Sequence, residues 1–159
     1  MRKALLAIFL FFSFNLYGAG AKIDIPKYDW SWKGFFGTYD RASAQRGLKV
    51  YREVCAGCHS MNYLSYRNLA DLGFSEDHIK AIAAEHLVLD GPNDEGEMFE
   101  RDGIPSDQFV NPYLNEKAAR AANNGAYPPD LSLIGNARPK GAADIKALLL
   151  GYVEPPEDI

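Results

Sequence analysis

The pentapeptide Cys55-Ala56-Gly57-Cys58-His59 constrains this chain more than any other stretch. Two thiols three positions apart, with a histidine directly after the second, form the attachment pattern of a c-type haem. Each thiol can add across one vinyl group at the porphyrin edge. The turn between them then carries the imidazole beneath the ring, where a nitrogen can bind iron. These are the only two cysteines of the 159 residues, so no thiol remains for a disulfide elsewhere. The expectation is one covalent haem c held by Cys55 and Cys58, with His59 as the metal ligand. Such a chain is a redox carrier whose chemistry resides in the cofactor, while the protein tunes it.

Other uses of the two thiols fit less well. A structural zinc needs four ligands, and only His59, His78 and His86 are available beside the thiols. A thioredoxin-like dithiol needs a helix N-terminus to lower the thiol pKa, whereas here a helical pattern precedes the motif. A plain exported disulfide does not call for the adjacent histidine.

The first 21 residues read as a secretory signal peptide. Arg2 and Lys3 make a positive start, Ala4 to Leu16 is mostly apolar, and Tyr17-Gly18-Ala19-Gly20-Ala21 offers a cleavage site. The apolar run is short for a membrane span. Export suits the motif, because c-type haem is attached outside the cytoplasm. The formal net charge is −4. Removal of residues 1–21 takes two basic residues and no acid, leaving 15 basic against 21 acidic and a charge of −6. That balance argues against nucleic acid and suits a basic protein partner.

Residues 22–159 read as one domain of all-α class with long loops. Lys22 to Thr38 is aromatic and Gly-punctuated, an extended arm against the core. A helix capped near Asp40 or Ser43 places Ala44, Leu48, Tyr51 and Cys55 on one face. Ser65 to Leu72 reads as a short helix stopped by Gly73. Ser75-Glu76-Asp77 caps another, whose buried face is Ile79, Ile82, Ala83 and Leu87. Leu89 to Val110 is polar and loop-like, and carries most of the acids. Asn115-Glu116 opens a helix closed by Asn123-Asn124-Gly125, Tyr127-Pro128-Pro129-Asp130 is a rigid connector, and Ala142 to Leu150 is a last helix ended by Gly151. For the sixth iron position the residues leave several candidates. Met98 is the most plausible by loop position, His78 and His86 share an acidic helix, and Met61 is too near His59 to reach the opposite ring face.

Val54-Cys55-Ala56-Gly57-Cys58-His59-Ser60-Met61 followed by Tyr66-Arg67-Asn68-Leu69 resembles the cytochrome c1 family, whose members are the haem subunits of quinol–cytochrome c oxidoreductases. The likeness extends beyond the haem motif. Asp29-Trp30-Ser31, Gly37-Thr38-Tyr39-Asp40 and Arg46-Gly47 resemble the family's approach to its first helix. Asp90-Gly91-Pro92-Asn93 and Gly96-Glu97-Met98-Phe99 resemble its acidic loop. The stretch Ala118 to Ala126, Pro128-Pro129-Asp130-Leu131-Ser132, Gly151-Tyr152 and Glu154-Pro155-Pro156 match in order and spacing.

The resemblance implies a c-type cytochrome fold with Asn123, Pro128, Pro129 and Leu131 lining the haem cleft and Arg138 near a propionate. It implies electrons arriving from a Rieske iron–sulfur protein and leaving to a soluble cytochrome c, with cytochrome b as a further partner. It also implies an exported location at the periplasmic face of the inner membrane, or its equivalent, with membrane association through the complex. Two departures stand out. The family's distal methionine and C-terminal membrane-spanning helix lie beyond the Glu-Pro-Pro segment, and the sequence stops at Ile159, so an incomplete sequence is the simplest expectation. Met98 aligns with a loop methionine that is not the family's ligand. Asp144-Ile145-Lys146 stands where the family often carries an aromatic residue near the haem. The rival readings are a free soluble periplasmic monohaem cytochrome, a thiol–disulfide enzyme and a small peroxidase-like activity.

Overall fold

The first helix starts where its cap predicts. In the computed structural model, which describes residues 24–155, the Asp40 carboxylate accepts from the Ser43 amide, and α1 runs Arg41–Glu53. The expected signal peptide lies outside the described residues. Tyr51 is buried on the core side of α1, with Leu48 and Cys55 packed beside it. A turn of 3-10 helix, Cys55–Gly57, follows directly and carries the motif. Its backbone closes tightly, the amides of Cys58 and His59 both donating to the Cys55 carbonyl at 3.1 and 2.8 Å.

Tyr66–Leu72 is a second 3-10 segment, opened by a reciprocal box between Ser65 and Asn68 and closed at Gly73 with φ 89°. The Gln45 side chain on α1 donates to the Leu72 carbonyl at 2.8 Å and ties the two elements. Helix α2, Glu76–Ala84, begins at Ser75, whose hydroxyl accepts from the His78 amide, with Glu76 and Asp77 at the favourable end of the dipole. Tyr51, Tyr66, Leu69, Ile79, Ile82, Ala83 and Phe109 form the core. Its centre is aromatic: Tyr66 and Phe109 stack at 4.7 Å, and Tyr51 meets Phe109 edge-on at 6.0 Å.

The structure corrects the expected loop at Leu89–Val110. Leu87–Asp90 (β1) and Phe99–Asp102 (β2) pair antiparallel, Leu87 opposite Asp102 and Asp90 opposite Phe99. An all-α description therefore gives way to a helical domain with a two-stranded ribbon. Leu87 is part of β1 and exposed, not on the buried face of α2, because that helix ends at Ala84. Each face of the ribbon mixes apolar and charged side chains, Leu87 and Leu89 beside Glu100 and Asp102 on one and Val88 and Phe99 beside Asp90 and Arg101 on the other, so no clean apolar alternation marks it. Arg101 holds it instead, pairing with Asp90 across the strands and with both oxygens of Asp107 at 2.7 and 3.0 Å. This guanidinium keeps both carboxyls below the usual carboxylate range. Gly103 lets the ribbon lie on α2: a Cβ there would come within 2.5 Å of the Ala83 carbonyl oxygen.

The remaining helices are α3, Glu116–Ala122, capped by Asn115; a single turn α4, Ile134–Ala137; and α5, Ala142–Leu150. The left-handed stop after α3 is present, with Asn124 at φ 52° and Gly125 at φ 87°. In the described part of the arm before α1 the aromatic rings stack on one another and meet Lys146 of α5 instead of joining the core. No helix among the described residues is long and apolar enough to cross a membrane.

Candidate functional site

His59 is placed by a residue 70 positions away. Its Nδ1 lies 2.8 Å from the Pro129 carbonyl oxygen. A carbonyl can only accept, so Nδ1 carries the proton and the lone pair is left on Nε2. That is the arrangement which fixes the tautomer and ring orientation of metal-ligating histidines, and it leaves Nε2 able to bind a metal.

The Pro129 carbonyl is itself held. Asp130 spans the space between the connector and the residues after the motif. One carboxylate oxygen accepts from the Ser60 hydroxyl at 2.8 Å and the Asn62 amide at 2.7 Å, and the other accepts from the Ser132 amide at 2.8 Å. The Leu131 amide donates to the Ser60 carbonyl at 2.9 Å, and the Tyr63 amide to the Ser132 hydroxyl at 3.0 Å. Residues 129–132 thus form a strap laid along 59–63. Burial acts to raise the Asp130 pKa, but the donors from Asn62, Ser132 and Ser60 outweigh it and leave the group below its ordinary value. From the core side, the Tyr51 hydroxyl donates to the His59 carbonyl at 3.1 Å. Burial, reinforced by the Asp130 charge, pushes that phenol up to about 12.

Both thiols are free, Cys55 partly buried against the core and Cys58 exposed. A cavity of about 100 Å³ borders Cys58, with Tyr113, Leu114, Tyr127 and Pro128 on its walls. That is too small to enclose a porphyrin, so it is a wall beside the thiol and not a container. The Tyr113 hydroxyl lies 3.9 Å from Cys58 Sγ and accepts from Asn123 Nδ2 at 3.1 Å, while the same amide donates to the Ala119 carbonyl. Asn123 therefore reaches the motif through Tyr113.

The structure brings Cys55, Cys58, His59, Asn123, Pro128, Pro129 and Leu131 into one neighbourhood. Arg138 stands apart. It ends α4 and lines a larger cleft of about 660 Å³ with Ile145, Leu148 and Tyr152. No thiol or imidazole lines that cleft, so its greater volume does not mark the chemistry. Met98 is exposed next to β2, His78 is exposed on α2, and His86 stacks on Tyr66 at 6.0 Å. Tyr51, Tyr113 and Asp130 were not singled out as site residues from sequence. For Asp130 a signal existed, an acid directly after the double proline, but its donors lie about 70 residues away.

These residues fit a covalently attached haem: two unpaired thiols at the right spacing and one imidazole with its outer nitrogen committed elsewhere. Among the described residues, no group of three His, Cys, Asp or Glu side chains could hold a metal ion by itself.

Comparison with known proteins points the same way. Residues 30–159 match the model of the Cytochrome C1 family. Over 137 residues the chain is 55% identical to a cytochrome c1 of Arabidopsis thaliana named as a mitochondrial heme protein, covering 86% of this chain and 45% of the relative. It is 55% identical over 130 residues to the cytochrome c1 of Rhodospirillum rubrum, covering 82% and 48%. It is 50% identical over 131 residues to the mitochondrial cytochrome b-c1 complex catalytic subunit of Candida albicans, covering 82% and 46%. The chain spans about half the length of these curated relatives.

Proposed function

Because the chain belongs to the cytochrome c1 family, we propose that it is the haem-bearing one-electron carrier of a quinol–cytochrome c oxidoreductase. It takes electrons from a Rieske iron–sulfur protein and passes them to a soluble cytochrome c, with cytochrome b as its neighbour in the membrane. It is an electron-transfer subunit and turns over no substrate alone. Residues 1–21 are its signal peptide and 22–159 its cytochrome domain, working at the periplasmic face of the inner membrane or the equivalent outer face.

The contact between His59 Nδ1 and the Pro129 carbonyl carries this reading. When bound, a haem supplies the one-electron chemistry at its iron. The residues of the chain hold and orient. Cys55 and Cys58 would fix the macrocycle covalently, and His59 would present Nε2 to the metal. Pro129 keeps the imidazole from rotating, and a donated Nδ1–H makes the ligating nitrogen more basic. Asn123, Pro128, Pro129 and Leu131 would line the cofactor; by the family resemblance Arg138, which here lines a separate cleft, would offer a guanidinium fork to a propionate. The acidic side chains of the ribbon and of the connection between its strands, Asp90, Asp94, Glu95, Glu97, Glu100 and Asp102, present negative charge to a basic partner and steer its approach.

Detergent extraction of membranes from cells that export the chain tests the proposal. A c-type absorption band with a reversible one-electron couple, migrating with cytochrome b, is the expected outcome. Recovery of the haem protein solely in the osmotic-shock fraction overturns the assignment to the complex.

A further inference from the structure

The turn at residues 30–39 is built to display two rings. The Lys33 amide donates to the Trp30 carbonyl, Gly37 to Gly34, and Thr38 to Ser31, at 3.0–3.1 Å. The closure is tight enough that a Cβ on Gly37 would sit 2.3 Å from the Trp32 carbonyl group. At its tip Phe35 and Phe36 meet edge to face at 5.0 Å and are 95% and 90% exposed. Behind them Trp30 stacks on Trp32 at 4.5 Å, and Trp32 on Tyr39 at 5.1 Å. Lys146 of α5 roots the base of the stack, its Nζ 4.3 Å from the Tyr28 ring and 5.2 Å from the Trp30 ring.

We propose that this turn is a membrane-interface anchor: Phe35 and Phe36 enter the boundary between headgroups and acyl chains of an anionic bilayer, with Trp30, Trp32 and Tyr39 at headgroup depth. Three observations converge on lipid. The tip is a projection of two side chains, far short of the roughly 800 Å² that a protein partner covers on each side of a stable interface. Indole and phenol rings directly behind an apolar tip are the composition of an interfacial belt, one end apolar and the other wet. The charge also suits it. Residues 27–52 hold six basic side chains against two acidic ones; Lys49 and Arg52 pair with Glu53 and Glu85, which leaves Lys27, Lys33, Arg41 and Arg46 against Asp29 and Asp40 in a chain whose formal charge is −4. An anionic leaflet attracts that segment and repels the acidic ribbon. The anchor therefore orients the domain as well as holding it. The inference rests on the reading of the chain as a subunit working at a membrane.

Trp30 and Trp32 are the only tryptophans, so their fluorescence reports this turn and nothing else. The test uses the exported chain with haem attached, its haem band recorded in every sample. It is mixed with vesicles of phosphatidylcholine and phosphatidylglycerol whose acyl chains carry bromine. Quenching of the tryptophans, weaker on vesicles of phosphatidylcholine alone and weakened by salt, is expected. The double variant F35S/F36S, with an unchanged haem band, should lose binding roughly tenfold or more through the apolar area left in water. Equal quenching of the double variant and the parent overturns the anchor, as does no quenching of a sample with an intact haem band. If the double variant instead releases the subunit from its complex while the parent shows no lipid quenching, the surface belongs to a protein partner and the proposal fails. A sample without a haem band counts against the cytochrome reading, not against the anchor.

Discussion

Replacing Asp130 with alanine takes one ionised acceptor away from three donors at once. The Ser60 hydroxyl, the Asn62 amide and the Ser132 amide lie 2.7–2.8 Å from its oxygens. A hydrogen bond to a charged group contributes about 1.5–3 kcal/mol, but Asp130 is only half-buried and water replaces part of each bond. The freed hydroxyl can also turn to solvent. A net loss of about 2–4 kcal/mol follows, which a mid-range urea slope of about 2 kcal/mol/M converts to a midpoint roughly 1–2 M lower. The loss should fall mainly on the strap, so His59 loses the carbonyl that orients it. Asp130→Asn keeps one carbonyl oxygen and turns a donor toward an amide, so it should lie between alanine and the parent.

The pH dependence adds a second readout. The folded pKa of Asp130 is depressed below its ordinary 3.8, so its contribution is present above that value. It is lost as the pH falls through the folded pKa. The parent's advantage over Asp130→Ala should therefore be full at neutral pH and shrink below about pH 4. Urea titration followed by far-ultraviolet circular dichroism at both pH values reads both effects. Equal midpoints at pH 7, or an advantage that persists undiminished near pH 2, would refute the reasoning.

Other substitutions probe the remaining contacts. Tyr51→Phe removes the donor to the His59 carbonyl and should cost about 0.5–1.5 kcal/mol in the same titration. Because the folded Tyr51 phenol sits at about 12 against an ordinary 10, its contribution is whole below pH 10 and fades as the pH rises toward 12. That alkaline loss should be smaller in the phenylalanine variant. Arg101→Gln should raise amide hydrogen exchange across Leu87–Asp102 while exchange in α1 and α2 stays unchanged; slow exchange throughout the ribbon would show that Arg101 does not hold it. His59→Ala should leave haem attached through the thiols but move its spectrum to that of an iron lacking its imidazole. An unchanged spectrum would remove His59 as the ligand.

Much of this was legible in the sequence where the signal is local. Asp40, Ser75 and Asn115 cap helices because a side-chain oxygen two or three residues before a free amide needs nothing distant. Gly73 and Asn124-Gly125 end theirs through a backbone conformation that few residues adopt readily. The spacing of Cys55, Cys58 and His59 is likewise a local fact. The ribbon was missed because neither face of Leu87–Asp90 or Phe99–Asp102 is consistently apolar, and its pairing depends on Arg101 meeting Asp107 outside both strands. Leu87 was misread for a related reason: apolar spacing continues past Ala84, while the backbone of the chain turns to pair. The strap over His59 was out of reach altogether. Its bonds join residues about 70 apart, and only the fold brings Pro129 and Asp130 to the motif. Arg138, placed at the haem by resemblance alone, lines a cleft separate from the thiols and the imidazole, so no local pattern marks it.

The most direct test is the mass of the exported polypeptide after acid and organic solvent have unfolded it. The account predicts a chain heavier by one haem, its red colour travelling with the protein, and a Cys55→Ser/Cys58→Ser double variant lacking both. A parent chain with the mass of bare polypeptide and no retained absorption would contradict it.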